Sequence, residues 1–298
     1  MSSSYFDNKE LFNGPTTRQY GSHMVMTNVS KECKVKYINI DTRFRDEYNY
    51  SATSNYNITL PQRITEVKNI SITNVELPIT FYSISENLGN NAFKIMDNSV
   101  SDIFIIPDGN YNSTQLLSII NEMSTNIEFE MDADNKIKAT TTTGLYTIHF
   151  NIDSTGNFAK YNFKFRLGWL LGFRRPTYEM SPTKLLKAEC LPDLSGPRYL
   201  YLVIDEFTSN GNQSSFISPL PSSQINKNVL ARMPISQTIF PFASVHPFNR
   251  STGLLSDCRS YTGKVDIQKL NVQLVNENGI VMDLNGADFS FCIRLEHE

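Results

Sequence analysis

Four histidines, His23, His149, His246 and His297, are the side chains of this 298-residue chain best suited to proton transfer or metal binding near neutral pH. No two of them stand at the helical spacing of a zinc protease, and none follows a close cysteine pair. His149 lies on the polar side of the alternating stretch Tyr146-Thr-Ile-His-Phe150, where a solvated imidazole on a strand is expected. His246, in Val245-His-Pro-Phe248, is expected to be packed in a loop. Asp132-Ala-Asp-Asn135 opens like a calcium loop. Lys136 then occupies a ligand position, Ile137 replaces the turn glycine and no Glu closes the loop, so a turn between two short strands is expected. Gly-x-Ser-x-Gly, the phosphate-binding Gly-Lys-Ser/Thr loop and the dinucleotide glycine pattern are absent. The reading is a protein that is not an enzyme and that uses no cofactor or metal.

The densest charged cluster is Asp41-Thr-Arg-Phe-Arg-Asp46. If the preceding strand continues, Arg43 and Arg45 project to one side and Phe44 to the other. Two readings stay open: pairing within the chain to Asp41, Asp46 or Glu47, and anchoring to another subunit, for which Arg is favoured. Twenty-seven basic against 30 acidic residues leave a net charge of −3, too balanced for a protein that coats nucleic acid. No stretch approaches the roughly 18 apolar residues of a membrane helix, and Met1 to Lys9 has no apolar signal region. Cys33, Cys190, Cys258 and Cys292 are too dispersed for a disulfide framework, so reduced thiols made in a cytosol are expected.

The elements that must position these residues read as strands. Phe289, Phe291, Ile293 and Leu295 alternate with polar neighbours, whereas Arg198 to Ile204 is a continuous run that fits a strand covered on both faces. Asn278-Gly279 and Asn285-Gly286 are turn signals that suggest a C-terminal meander over about 264–296. Ile70 and Ile72 give way to Val75 and Leu77, and Val265 and Ile267 to Leu270 and Val272; such changes of parity imply bulges and curled sheets. Asn112-Ser-Thr-Gln115 is a capping box for one helix carrying Leu116, Leu117, Ile120 and Met123, expected to cover an end of a sandwich. Residues 1–33 read as an extended N-terminal arm, and 34–298 as one domain with a long loop-rich insertion at about 207–262, rich in Ser, Pro, Asn and Gly.

Read in order, several segments carry a family resemblance: Tyr37-Ile-Asn-Ile-Asp-Thr-Arg-Phe-Arg-Asp46, Tyr56-Asn-Ile-Thr-Leu-Pro61, Val75-Glu-Leu-Pro78, Pro107-Asp-Gly-Asn-Tyr111 before Leu116, and Leu167-Gly-Trp-Leu-Leu-Gly-Phe173. Their order resembles the penton and related minor capsid proteins of nucleocytoplasmic large DNA viruses. The resemblance runs from about residue 37 to 173, and none of its motifs is a reaction signature.

The resemblance implies an all-β fold: a single jelly-roll β-sandwich of about eight strands in two antiparallel sheets, with one short helix, the arm and the insertion. It implies a late structural protein of a virion capsid, made and assembled in the host cytoplasm. As a penton it would form homopentamers at five-fold vertices, contacting neighbouring major and minor capsid proteins and no nucleic acid. A minor capsid protein cementing other subunits is the near alternative; a glycan- or receptor-binding sandwich working through the 207–262 loops is the distant one. Candidate subunit contacts are the aromatic residues of the arm and insertion, Phe6, Phe12, Tyr20, Phe216, Phe240, Phe242 and Phe248, with Arg43 and Arg45.

Overall fold

The computed structural model describes residues 33–97, 100–158, 162–207, 216, 228–236, 241–256 and 258–298, with the backbone of 16–20 and 24–28. A hairpin of β1 (Thr16–Tyr20) and β2 (Met24–Asn28) precedes β3 (Lys34–Asp41) and β4 (Asn55–Pro78). Next come β5 (Ala92–Met96), β6 (Ser101–Ile105), α1 (Ser113–Met123), β7 (Glu128–Met131), β8 (Ile137–Thr140) and β9 (Tyr146–His149). They are followed by α2 (Leu167–Leu170), β10 (Thr177–Met180), β11 (Leu186–Lys187), β12 (Tyr199–Asp205) and β13 (Val229–Pro234). The chain closes with β14 (Val245–Phe248), β15 (Leu255–Ser256), β16 (Arg259–Asn276) and β17 (Ser290–His297).

The architecture is all-β and antiparallel, a jelly-roll-like sandwich built around β4. The main ladder runs β15-β13-β12-β16-β4-β17-β3, with β14 also paired to β4. Period-two triplets face inward from successive strands: Tyr56, Ile58 and Leu60; Leu200, Leu202 and Ile204; Leu270, Val272 and Leu274; Phe291, Ile293 and Leu295. The ladder curls back on itself. The amide of Ile72 in β4 donates to Ser256 Oγ at 2.9 Å, and that hydroxyl donates to Leu230 O at 3.1 Å, so the terminal strand β15 returns to the central one.

Both expected bulges are present and drive this curl. Cys292 faces Asn74 but Ile293 faces Ile72, which leaves Thr73 as the extra residue. The β16–β4 register slips between Ile267 and Lys269, and Glu66 on β4 takes a left-handed φ of 57°. The expected C-terminal meander does not form, because β4 lies between β16 and β17. At 24 residues β4 is long enough to offer one edge to β16 and the other to β17. The segment between those two strands therefore crosses over the core, burying Met282 and Leu284, instead of folding into a hairpin.

β12 is covered on both faces, as its continuous apolar run requires: Tyr201 and Val203 form a small outer cluster with Val229 and Val275. Much of the segment expected as a loop-rich insertion is sheet, since β13, β14, β15 and the start of β16 belong to the main ladder. Residues 208–215 and 217–227 lie outside the described residues. Arg259 clamps the stems on either side of them. Its guanidinium donates to Ile204 O at 3.0 Å, to Glu206 Oε1 at 2.5 Å and to Asn228 O at 2.7 Å, and the Tyr261 hydroxyl adds a fourth bond, to Glu206. The Arg259 and Glu206 side chains are both buried.

A second core gathers apolar residues from Ile84 to Ala188, between a four-stranded sheet, β10-β9-β5-β6, a three-stranded one, β11-β8-β7, and the helices. The capping box forms as expected, with Asn112 Oδ1 accepting from Gln115 N and Gln115 Oε1 from Asn112 N. The helix does not cover an end of the main sandwich. It buries Leu116, Leu117 and Ile120 in the second core, and the Asn121 amide exchanges two hydrogen bonds with the Phe129 backbone, fixing α1 to β7.

Two glycines explain the Leu167–Phe173 motif. A Cβ on Gly168 would lie 2.3 Å from the Phe150 Cβ, so only glycine lets α2 lie flush on that ring. Gly172 has φ +93°, and a Cβ there would sit 2.2 Å from the Cys190 carbonyl oxygen.

Two stability predictions follow from these contacts. Gly172→Ala is expected to cost about 1–3 kcal/mol through backbone strain and overlap, read by thermal or denaturant unfolding; an unchanged midpoint contradicts the close approach. Arg259→Met strands a buried carboxylate and is expected to cost about 3–5 kcal/mol, much of it recovered when Glu206→Gln is added. A loss below about 1 kcal/mol by chemical denaturation contradicts the clamp.

Candidate functional site

Among the described residues the side chains with reactive chemistry are dispersed by this fold. His149 is half-buried and not solvated as expected: Nδ1 lies 3.1 Å from Thr177 Oγ1, the ring meets Phe158 edge-on, and burial, with Lys94 nearby, pushes its pKa down. His246 belongs to strand β14, not a loop, with its ring 4.6 Å from that of Phe248, and burial lowers its pKa too. His297 is at the end of β17, and His23 lies outside the described residues. Among the described residues no three His, Cys, Asp or Glu side chains gather as metal ligands. The calcium-like stretch is the expected turn, with Asn135 at φ 57° between β7 and β8, and Lys187 Nζ sits against both Asp132 and Asp134.

A cleft of about 260 Å³ lies where the two cores meet, lined by Trp169, Lys164, Arg198, Asp193 and Glu277 among others. Burial raises the Glu277 pKa and leaves one of its oxygens without a hydrogen-bond partner among the described residues. Asp193 is held by Ser195 at 2.6 Å and Arg198 at 2.9 Å. Trp169 is sandwiched, with the Arg174 guanidinium 4.0 Å from its ring centroid and Phe163 edge-on at 5.9 Å. Asp193, Ser195 and Arg198 thus hold one another, and Trp169 is held by Arg174 and Phe163.

The built surface is the loop after β3. The strand stops at Asp41, whose carboxylate caps a 3-10 turn over Thr42–Phe44 by accepting from Arg43 N. Arg43 and Arg45 therefore do not share a side. Arg43 forks back onto Asp41, with Nη2 to Oδ2 at 2.6 Å, and that pairing holds the Asp41 pKa below the usual range. Arg45 turns inward, its side chain only 7% exposed, and donates to Thr42 O (2.8 Å), Ser51 O and Oγ (both 3.2 Å), Tyr48 O (3.2 Å) and Asp288 Oδ1 (3.1 Å). Its guanidinium also lies 4.1 Å from the Tyr48 ring centroid.

The loop is tied at both ends as well. Thr42 exchanges hydrogen bonds with Asp288 and Phe289, and Asp46 accepts from both Thr59 N and Thr59 Oγ1. What this rigid loop displays is aromatic: Phe44 is 74% exposed and Tyr50 92%, with Tyr48 beside them and Tyr37, 62% exposed, on β3. Ordered aromatic side chains on a fixed backbone lose little further freedom on docking, which is how interface anchors work.

The other candidate contact residues scatter. Phe248 is fully buried in the main core and unavailable to a neighbour, because β14 pairs with β4 and turns that side chain inward. Phe216 packs edge-on against Tyr201 at 5.9 Å. Phe242 is exposed and stacks on Tyr82 at 5.7 Å. Tyr20 pairs through its backbone with Met24; Phe6, Phe12 and Phe240 lie outside the described residues. Reading the sequence for charge found the two arginines and missed Phe44, Tyr48 and Tyr50. The available signal was three aromatics in seven residues of otherwise polar chain.

No family model and no curated protein matches the chain. Among solved structures it is similar to the mavirus penton protein, at 12% identity over 90% of this chain and 100% of that one, with a TM-score of 0.38. It is also similar to a chain of the Sputnik virophage solved by cryo-EM, at 13% identity over 88% of this chain and 98% of that one, with a TM-score of 0.40.

Proposed function

We propose that this protein is a structural subunit of a viral capsid and, within that role, the penton that closes five-fold vertices as a homopentamer. The observation that carries the reading is the loop 42–51: a backbone fixed by Arg45, Asp46 and Thr42 that presents Phe44 and Tyr50 to solvent. Exposed aromatics on a preorganised loop suit a protein whose work is docking to other protein. The ordered set of sequence motifs points the same way, since this loop begins within the first of them, at Thr42 to Asp46. On this reading the partners are further copies of the chain and neighbouring major and minor capsid proteins. Its place is the virion, reached by assembly in the host cytoplasm.

The double variant Phe44→Ser/Tyr50→Ser tests the role of the loop. Both side chains are exposed, so the thermal midpoint is expected to stay within a few degrees of the parent. The oligomer seen by light scattering after size exclusion is expected to shift to single chains. An oligomer of unchanged mass and stability contradicts the loop as an assembly surface. Retention of a glycan by the parent, lost in the variant without any change in mass, would transfer the loop to a receptor-binding role.

A further inference from the structure

Besides the β1–β2 pair, the described sheets end in β15 and β3, in β10 and β6, and in β11 and β7. β7 is acidic as β6 is, but its Glu130 is already paired with Lys138 at 2.9 Å, and the edges that suit an outside partner are β3 and β6. An edge strand presents outward-facing amides and carbonyls that another strand can pair with. The two edges differ in a complementary way. β3 begins Lys34-Val-Lys-Tyr37, with Lys34, Val35 and Tyr37 exposed and Lys36 half-buried. β6 reads Ser101-Asp-Ile-Phe-Ile105, with Asp102, Ile103 and Ile105 exposed and Asp97 and Val100 exposed just before it. Phe104 alone turns toward the second core, stacking on Phe93 at 5.0 Å. Lysines on one edge and aspartates on the other, each beside apolar side chains, make two surfaces that suit each other better than either suits itself.

Like charges opposed across a strand pair are unfavourable and opposite charges favourable. A β3–β3 contact sets lysine against lysine, and a β6–β6 contact sets Asp102 against Asp102. We infer that β3 of one copy of this chain adds to β6 of the next copy, pairing Lys34 and Lys36 with the acidic β6 edge. The inference rests on the reading of the chain as a self-assembling subunit and names the two surfaces involved. Because they belong to different sheets, the contact is heterologous and repeats head to tail, the kind that closes into a ring when the rotation allows. The aromatic loop begins where β3 ends, so Phe44 and Tyr50 extend the same contact.

Charge reversal of the full chain tests this. Lys34→Glu/Lys36→Glu and, separately, Asp102→Lys are each expected to weaken self-association about tenfold at low salt, measured by sedimentation against concentration. The triple variant carrying all three changes restores complementarity and is expected to return to within about threefold of the parent. Circular dichroism melts confirm that each variant is folded. Association unaffected by both reversals, or weakened by each and not restored in the triple variant, overturns the β3–β6 pairing while leaving self-assembly standing. A parent chain that stays monomeric at every concentration overturns the reading of self-assembly and this pairing with it.

Discussion

The fold depends on the backbone of β4 being shared. One strand of 24 residues supplies hydrogen bonds to β16 and β14 along one edge and to β17 along the other, so the two halves of the sandwich are one continuous ladder. Inward triplets at period two make a single core only if the ladder bends, and the bends are written into it as slipped registers and the left-handed Glu66. The Ser256 hydroxyl that bridges β15 and β4 then joins one end of the ladder to its central strand. An unpaired amide at Ile72, buried as that residue is, would carry a desolvation cost of about 1–3 kcal/mol, which makes this hydroxyl part of the closure.

The candidate contact surface is a consequence of the same geometry. Among the described residues β3 is held only from the β17 side, and the chain leaving it must turn before entering β4. Arg45 makes that turn rigid by satisfying carbonyls from Thr42, Tyr48 and Ser51 at once, a use to which a planar guanidinium with five donors is suited. With the carbonyls of Thr42, Tyr48 and Ser51 satisfied internally, the loop leaves Phe44 and Tyr50 facing water. Burying a phenylalanine-sized surface is worth about 1.5–3 kcal/mol, so a partner covering Phe44 and Tyr50 gains substantially without having to order the loop.

Much of this was legible in the sequence, for local reasons. The strand Ser290–His297, the doubly covered β12, the Asn112–Gln115 cap and the two parity changes all follow from periodicity or from contacts within a few residues. The misreadings were of long range. Asn278-Gly279 does make a turn, yet which strand lies next to β16 depends on β4, roughly 200 residues earlier in the chain. Phe248 sits beside His246 and Pro247 in a stretch that resembles a loop, and only its pairing to Val75 on β4 shows that it points inward. For Arg43 and Arg45 the error was one of strand end: an alternation carried past Asp41 put both arginines on one side, whereas the cap made by Asp41 turns the chain there.

The central claim is that this chain is built to associate with copies of itself. Native mass spectrometry of the purified full-length chain, from dilute to concentrated solution, tests it most directly. The account predicts a species of five chain masses that grows with concentration at the expense of single chains. A single-chain mass across the whole range, from protein shown to be folded, would contradict it.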